Sequence, residues 1–456
     1  MDATDLDYRA RTRSGCIPPA LVTRLIERGH ANVVELHAGR GEWFCALAWA
    51  RALGEQGREA DALDALAPYV ATGWWTAVVA AAELLESWGR TDEAINITRT
   101  RMEAGHPMAL EAYTRLLARH GRAEEAFNLL VPHVHDWVLA TTLVDVAAVA
   151  GRVEETAVLL DAQIQAAHRC DGPRCGRGHA RGLDPDTALG LLAMIRESQN
   201  HIDEAIALLH RRQIISINSR DQLADLLARH GRIEELRAYA ALDGHEEAVH
   251  RLAELLEEVG DIGGAIAAYG HTDQTAVCDP NSAYQLSQLL ARHGRGDEAI
   301  AVMRAQADAH PGDDWILHAL SELYLDQGCP ADGLAYLEAL DVKRRGEDEW
   351  ELYWMRLPLI AACKGIDEAV ERARAHPEGA TWYAAEHIAG LLADAGRTEE
   401  AVTVLQRHAG RNSHDLAGYL IDLGRIDEAL TVLQQPRPQP PVIQTPHLWL
   451  QDHPPY

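Results

Sequence analysis

The sequence has few aromatic residues, and this scarcity limits the kind of core it can build. Of its 456 residues, 47% are hydrophobic but only 5% are aromatic, with two phenylalanines. A core must therefore consist mainly of leucine, alanine, valine and isoleucine, which suit close packing of helix on helix. The hydrophobic fraction excludes a disordered chain, and the length exceeds one ordinary core, so several domains or a repeat array is expected.

Basic charge is also scarce. Lysine and arginine number 42 against 69 acidic residues, which gives a formal net charge of −27. Lys343 and Lys364 are the only lysines, so nearly all the positive charge is arginine. Binding to a phosphate backbone needs concentrated positive charge. The composition therefore disfavours general binding to nucleic acid or anionic membranes, although a local basic patch stays open.

Long apolar runs and dense cysteine patterns are missing. No run approaches the length that spans a bilayer, and the N-terminus has no apolar core of signal-peptide type. Seven cysteines form no disulfide framework. These features predict a protein of the reducing cytoplasm, with residues 1–19 as a flexible N-terminal segment.

What the sequence does contain is a repeated turn: glycine, usually arginine, one further residue, an acidic pair, then alanine. The heptapeptide LLARHGR, which leads into this turn, occurs three times, at 116–122, 226–232 and 289–295. Copies start at Gly57, Gly89, Gly121, Gly151, Asn200, Gly231, Gly260, Gly294, Gly328, Lys364, Gly396 and Gly424, with a weaker one at Gly29. Steps between copies run from 28 to 36 residues, with one step of 49. A period near 34 indicates stacked helix–turn–helix units.

Elementary helix physics agrees with this interpretation. A helical apolar pattern precedes each turn, as with Leu223, Leu226 and Leu227 before Gly231. Glycine ends the first helix because it adopts a left-handed conformation without a Cβ clash. The acidic pair then favours the positive end of the second helix. The alanine is small where two helices approach closely, and an apolar residue often follows one turn later on the same face.

The chain resembles the tetratricopeptide-repeat family over residues 20–434. Two stretches carry the resemblance best: Leu317, Leu320, Ser321, Tyr324, Gly328 and Leu337, then Ala283, Leu286, Leu290, Gly294, Ala299 and Pro311. The family's early tryptophan is missing from most copies, and a closing proline is rare. The resemblance implies an all-α, right-handed α-solenoid of about 12–13 repeats that binds peptides or proteins on its inner surface.

Two stretches fall outside the repeat: a loop insertion at about 168–186 and a Pro-rich tail at 435–456. The insertion carries His168, Cys170, Cys175 and His179, which are zinc-type ligands within twelve residues. Their spacing matches no standard zinc pattern. A flexible basic loop with free thiols is the favoured interpretation, zinc binding and a Cys170–Cys175 redox disulfide are the alternatives, and no cofactor is predicted.

Catalytic signatures are missing, and the predicted site is a binding surface. The sequence contains neither HExxH nor G-x-S-x-G, and we assign no catalytic residue. The resemblance implies that the first helix of each repeat lines the inner face, through positions three, six and ten before the turn. The candidates are Arg115, Asp225, His250, Glu254, Glu257, Tyr284, Gln288, His318, Glu322, Trp354 and Glu386.

Two features of this surface have alternative interpretations. Arg119, Arg229 and Arg292 could form a ladder for an acidic ligand, but Glu258 occupies the equivalent position between the last two. Alternating signs favour ion pairing between stacked helices instead. Trp354 could contact a partner, although filling the core is the usual role of an aromatic residue at helical spacing.

The sequence therefore favours a non-catalytic protein–protein interaction scaffold or adaptor. It would bind a peptide or protein segment, basic or neutral, in its concave groove. The first alternative is a ligand- or peptide-responsive regulatory protein. A metal-binding or redox-sensing protein that uses the 168–186 insertion is less favoured, and the net charge disfavours nucleic acid as a partner.

Overall fold

The computed structural model describes residues 2–13, 16–168, 181–213, 216–217, 220–242, 245–270, 279–310, 313–343 and 350–434. Within these ranges the chain is almost entirely α-helical. The only strands there are β1, Ser216–Ile217, and β2, Arg220–Asp221, which form a two-residue antiparallel hairpin. No helix in the described part of the chain has an apolar stretch of the length that a bilayer requires.

One helix, α1 at Ala3–Thr12, precedes thirteen consecutive helix pairs. The first seven pairs are α2 Pro19–Glu27 with α3 Ala31–Gly39, α4 Trp43–Glu55 with α5 Glu59–Ala71, α6 Trp75–Ser87 with α7 Thr91–Glu103, α8 Ala109–Arg119 with α9 Ala123–Leu130, α10 Trp137–Ala150 with α11 Val153–His168, α12 Pro185–Ser198 with α13 Ile202–Leu209, and α14 Gln222–Arg229 with α15 Ile233–Ala240.

The remaining pairs are α16 Glu246–Glu258 with α17 Ile262–Tyr269, α18 Pro280–Arg292 with α19 Gly296–Ala309, α20 Asp314–Asp326 with α21 Pro330–Lys343, α22 Trp350–Tyr353 and α23 Leu357–Lys364 with α24 Ile366–Ala375, α25 Trp382–Asp394 with α26 Thr398–Gln406, and α27 Ser413–Asp422 with α28 Ile426–Gln434. Two short 3-10 segments, Val131–His133 and Trp354–Arg356, complete the helical structure of the described residues.

The turn inside every pair contains a residue with positive φ, between 62° and 93°. This residue is glycine in twelve pairs and Asn200 in the other. After Gly231 the N–H of Arg232 donates to the carbonyl of Leu227 at 2.9 Å, which closes the first helix in a Schellman-type turn. The predicted position of one turn is wrong by one residue. Lys364 ends α23, and Gly365, with φ 93°, is the turn residue.

The alanine of the turn motif lies at the contact between helices. It is at most 1% exposed at Ala62, Ala94, Ala126, Ala205, Ala265, Ala299, Ala369, Ala401 and Ala429. A side chain this small lets two helix backbones approach closely, as the motif predicted. The described residues thus form an all-α solenoid of helix–turn–helix repeats, the fold that the resemblance to tetratricopeptide repeats implied. The hand of the superhelix stays a prediction.

Two predicted segment boundaries differ from the structure. Residues 3–12 were expected to be flexible, but they form α1, in which Leu6 is 3% exposed. The insertion is shorter than 168–186, because Pro185 and Asp186 begin α12 behind the cap residue Asp184. Just before that cap, Gly182 forms an isolated antiparallel bridge with Asp136. The tail at 435–456 lies outside the described residues.

The chain divides into two compact units. One contains Met1–Thr4 and Leu66–Gln327, and the other contains Asp5–Ala65 and Gly328–Tyr456. In the second unit α2 packs against α27, although most of the sequence separates them. Asp422 accepts ion-pair contacts from Arg24 at 3.1 Å and Arg28 at 2.9 Å. No pattern in the sequence indicated this packing between early and late repeats.

Candidate interaction surface

The eleven predicted surface residues lie on first helices of the pairs or in the 3-10 segment that interrupts one of them. None of them is buried. They are Arg115 on α8, Asp225 on α14, His250, Glu254 and Glu257 on α16, Tyr284 and Gln288 on α18, His318 and Glu322 on α20, Trp354 before α23, and Glu386 on α25. Trp354 and Glu386 belong to the second unit and are described separately below.

A connected polar network joins α14 to α16. Arg251 donates from Nε to Asp225 Oδ1 at 3.1 Å and from Nη1 to Glu254 Oε2 at 2.6 Å. The Nε2 atom of His250 lies 3.3 Å from Glu254 Oε1, and its Nδ1 lies 2.7 Å from the hydroxyl of Tyr269. The structure therefore brings Asp225, His250 and Glu254 together, through an arginine that the sequence did not single out.

A cavity of about 490 Å³ lies beside this network, between α16 and α18. Its walls include His250, Arg251, Glu254, Glu257 and Glu258 on α16, Tyr269 on α17, and Gln285, Leu289 and Arg292 on α18. We use the name acidic groove for this cavity, with its wall carboxylates Glu254, Glu257 and Glu258. The name also covers two carboxylates that interact with the wall residues: Asp225, which pairs with Arg251, and Glu247, which interacts with His250 and Glu254.

Negative charge dominates the acidic groove, since five carboxylates there accompany the two guanidinium groups of Arg251 and Arg292. The close spacing of these carboxylates affects the pKa of Glu247. Burial raises the pKa of its carboxyl, and the neighbouring Asp225 and Glu254 raise it further, against the opposing effect of His250. A cation that enters the groove would relieve this repulsion.

The recurrent heptapeptide LLARHGR forms an ion-pair clamp between repeats. Arg119 donates from Nε and Nη2 to the two carboxylate oxygens of Glu86 on α6, and His120 Nε2 lies 2.9 Å from Oε1 of the same residue. The other two clamps join Arg229 and His230 to Glu197, and Arg292 and His293 to Glu257. The three arginines are thus paired internally and do not form a ladder for an acidic ligand.

The arginine after the turn glycine makes a second kind of link. Arg425 donates to both oxygens of Glu428 in the helix that it immediately precedes and, through Nη1, to Glu399 of the preceding repeat at 3.1 Å. The same contact with an acid of the preceding repeat joins Arg152 to Glu124, Arg232 to Asp203 and Arg397 to Asp367. The acidic pair therefore has two partners: its second member binds its own arginine, and its first binds the arginine of the next repeat.

Most of the remaining candidates of the first unit have local partners. Arg115 contacts Glu111 at 3.3 Å and Asp145 of the next first helix at 2.7 Å. Tyr284 makes an edge contact with Trp315, with ring centroids 6.4 Å apart. Gln288 lies near Tyr284 on α18, and His318 Nδ1 lies 3.8 Å from Glu322 Oε2 within α20. The surface beyond α18 is thus more aromatic than the acidic groove.

In the second unit, Trp354 lies where a first helix is interrupted. Pro358 has no N–H to donate to the carbonyl of residue 354, so α22 and α23 are joined by a 3-10 segment. Trp354 stacks on His387 of α25, with centroids 4.6 Å apart. Trp350, which is 2% exposed, donates its indole N–H to the same ring at 3.2 Å. Trp350 is therefore core, Trp354 is half-buried, and Glu386 beside His387 is exposed.

The predicted metal candidates fall outside the described side chains. Cys170, Cys175 and His179 lie in 169–180, and only the backbone of His168 is described, at the end of α11. Elsewhere in the described ranges no three His, Cys, Asp or Glu side chains are grouped as a metal ion requires. Among the described cysteines, Cys16, Cys45, Cys329 and Cys363 are not joined in disulfide bonds. The cytoplasmic location stays a prediction.

No protein-family model and no curated protein matches the chain. Among solved structures, one titled "Structure of Naa15/Naa10 bound to HypK-THB" matches with a TM-score of 0.27 and 12% identity, over 91% of this chain and 79% of that chain. A tetratricopeptide repeat protein from Parabacteroides merdae ATCC 43184 matches with a TM-score of 0.23 and 15% identity, over 59% of this chain and 92% of that chain.

Proposed function

We propose that the chain is a non-catalytic protein-interaction scaffold that binds a basic segment of a partner protein in the acidic groove. The observation that carries this proposal is the excess of carboxylates on adjacent first helices, around a cavity of about 490 Å³. Positively charged side chains of a peptide would pair with the groove carboxylates that Arg251 and Arg292 leave uncompensated. The net charge of −27 would attract the same class of partner over a longer range.

Preorganisation would make this binding efficient. Glu254 is held by Arg251, and Glu257 is held by the bidentate contact of Arg292 and by His293. A peptide that meets side chains already fixed in place loses less binding energy to their ordering. Electrostatic attraction of this kind accelerates association and weakens as salt is added.

The absence of catalysis is part of the proposal. Two carboxylates of the acidic groove are engaged in ion pairs between neighbouring helices, Asp225 with Arg251 and Glu257 with Arg292. General acid–base catalysis needs a group that exchanges protons with a substrate near the working pH. Glu257 does not meet this requirement, because the hydrogen bond from Arg292 lowers the pKa of its carboxyl.

The test is fluorescence anisotropy with a labelled Arg/Ser peptide and a Glu/Ser peptide of equal length. We expect saturable binding of the basic peptide only, with an affinity that falls steeply as salt rises. The double substitution Glu254→Gln with Glu258→Gln should weaken this binding about tenfold, which corresponds to about 1.4 kcal/mol.

A matched control removes the same charge elsewhere. Glu234 on α15 and Glu371 on α24 are exposed acids on second helices, and Glu234→Gln with Glu371→Gln changes the net charge equally. Circular dichroism would confirm the fold of both variants. Equal loss in the two double variants would show that only bulk charge matters, and equal binding of both peptides would overturn the proposal.

A further inference from the structure

A second, smaller cavity lies where α13 ends, α14 begins and α15 meets the start of α16. Its volume is about 200 Å³. Its walls are Leu209, His210, Arg212, Asp221, Leu223, Tyr239, Leu242 and His245. Pockets for drug-sized ligands measure about 300–1,000 Å³, so this cavity has the size for a smaller molecule. The mixture of apolar and polar walls is typical of a ligand site.

Asp221 anchors the polar side of the cavity and is 2% exposed. Its Oδ1 accepts the backbone N–H groups of Leu223 at 3.0 Å and Ala224 at 3.1 Å, which caps α14. Its Oδ2 accepts the hydroxyl of Tyr239 at 2.9 Å. This carboxylate therefore already accepts three hydrogen bonds within the protein, so it does not need a ligand cation as a partner.

Two side chains that line the same cavity each have a buried nitrogen atom without a hydrogen-bond partner. Among the described residues, His245 Nδ1 and Arg212 Nε are buried and have no hydrogen-bond partner. The His245 side chain is 8% exposed, and its Nδ1 is 3.9 Å from Asp221 Oδ2, which is too far for a hydrogen bond. Arg212 uses Nη1 for Gln222 at 3.1 Å, and its Nε–H remains a charged donor without an acceptor.

Buried donors normally have acceptors, and a charged donor without one is costly. An incoming carboxylate supplies two acceptor oxygens, and guanidinium groups bind such oxygens strongly. The apolar part of the lining, which comprises Leu209, Leu223 and Leu242, can contact a short aliphatic chain. We propose that this cavity binds a small aliphatic monocarboxylate, with its carboxylate at Arg212 and His245 and its chain against the three leucines.

This site does not depend on the acidic groove or on its peptide. The two share α14 and α16, however, since Asp221 and Asp225 lie one turn apart and His245 immediately precedes the helix of Glu254. An occupied cavity would therefore stabilise the helices that carry the groove. The ligand-responsive alternative drawn from the sequence gains a specific location here.

The experiment is isothermal titration of the full chain with sodium butyrate. Three comparison probes test whether binding needs both the negative charge and the aliphatic chain. The compound n-butylamine carries a cation, n-butanol carries no charge, and inorganic phosphate carries no aliphatic chain. Saturable binding of butyrate alone is the expected result. No saturable heat with butyrate, or equal binding of butylamine, butanol or phosphate, would overturn the proposal.

Two variants then locate the site. Arg212→Lys keeps the charge but removes the Nε–H, and it should weaken butyrate binding about tenfold. Leu242→Trp should abolish binding by filling the cavity, and Leu242 is 55% exposed, so the fold tolerates a larger residue there. The control is Arg211→Gln, which changes the exposed neighbouring arginine and should leave the affinity unchanged. Unaltered affinity in both test variants would place butyrate elsewhere and refute the assignment.

Discussion

Arg119 donates two hydrogen bonds of 2.8 Å to the two carboxylate oxygens of Glu86, which lies 33 residues earlier on the preceding first helix. The same geometry recurs at Glu197 and Glu257, each three residues before the turn of its repeat. A bidentate contact fixes both distance and orientation. These clamps therefore hold three pairs of successive first helices at a defined distance and orientation.

Removal of one clamp should lower stability measurably but modestly. Glu86→Gln keeps the shape of the side chain and removes the charge that Arg119 and His120 share. Because Arg119 is 55% exposed, solvent screens the pair, and we expect a loss of about 1 kcal/mol in the free energy of unfolding. Urea denaturation measures this loss, with Glu103→Gln on the exposed end of α7 as the control. A loss no larger than that of the control would mean that the clamp is energetically neutral.

The clamps should also shape the response to acid. The hydrogen bond from Arg119 holds the pKa of Glu86 below its ordinary value of 4.5. A carboxyl with a lowered folded-state pKa stabilises the fold above about pH 4.5, and that contribution is lost as the pH falls through the lowered value. The difference in melting temperature between wild type and Glu86→Gln should therefore be constant near neutrality and shrink below pH 4.5. A difference that grew in acid would contradict the assignment.

The motif alanine should not tolerate a larger side chain. Ala299 is 0% exposed, whereas Ala301 lies on the exposed side of the same helix, α19. Ala299→Leu forces the helices of its repeat apart and should cost about 1–3 kcal/mol in the free energy of unfolding. Ala301→Leu should change it by less than about 0.5 kcal/mol. Thermal denaturation of the two variants measures both, and equal effects would argue against close helix approach at the motif.

The contact between α2 and α27 should depend on Asp422. This carboxylate is 17% exposed and pairs with both Arg24 and Arg28. Asp422→Asn should raise hydrogen exchange in α2 about twofold to fivefold, because a weakened contact lets α2 open more often. Asp415→Asn, an exposed acid on the same helix, is the control. Unchanged exchange in α2 would show that apolar packing alone holds the contact.

The repeat unit was predictable because it depends on local rules. A glycine with positive φ, an apolar helix before it and a small buried residue after it are all fixed within a few residues of the turn. The misplaced turn at Lys364 shows the limit of this method. The acidic pair and the alanine place the start of the copy at Lys364, but the glycine with positive φ lies one position later, at Gly365. Helix α1 was missed because its ten residues carry one buried apolar side chain, Leu6.

The links between repeats were harder to foresee. The acidic pair has an adequate local explanation in the helix dipole, so its partners 26 to 30 residues away are not needed to account for it. One regularity did indicate links between repeats. Each of Glu86, Glu197 and Glu257 lies three residues before the turn of the repeat that precedes an LLARHGR copy. The small cavity around His245 had no such indication, since it depends on how three connections between helices meet in space.

The packing of α2 against α27 also constrains the order of events during protein synthesis. Arg28 and Asp422 are 394 residues apart, and ribosomes add about 5–20 residues per second, so α2 emerges about 20–80 s before its partner. Through that interval Leu21, which is 6% exposed in the finished fold and adjoins Gly418 of α27, lacks this neighbour. Nascent chains and chains cut short by premature termination both present this uncovered apolar face, which makes them natural clients for chaperones and proteases.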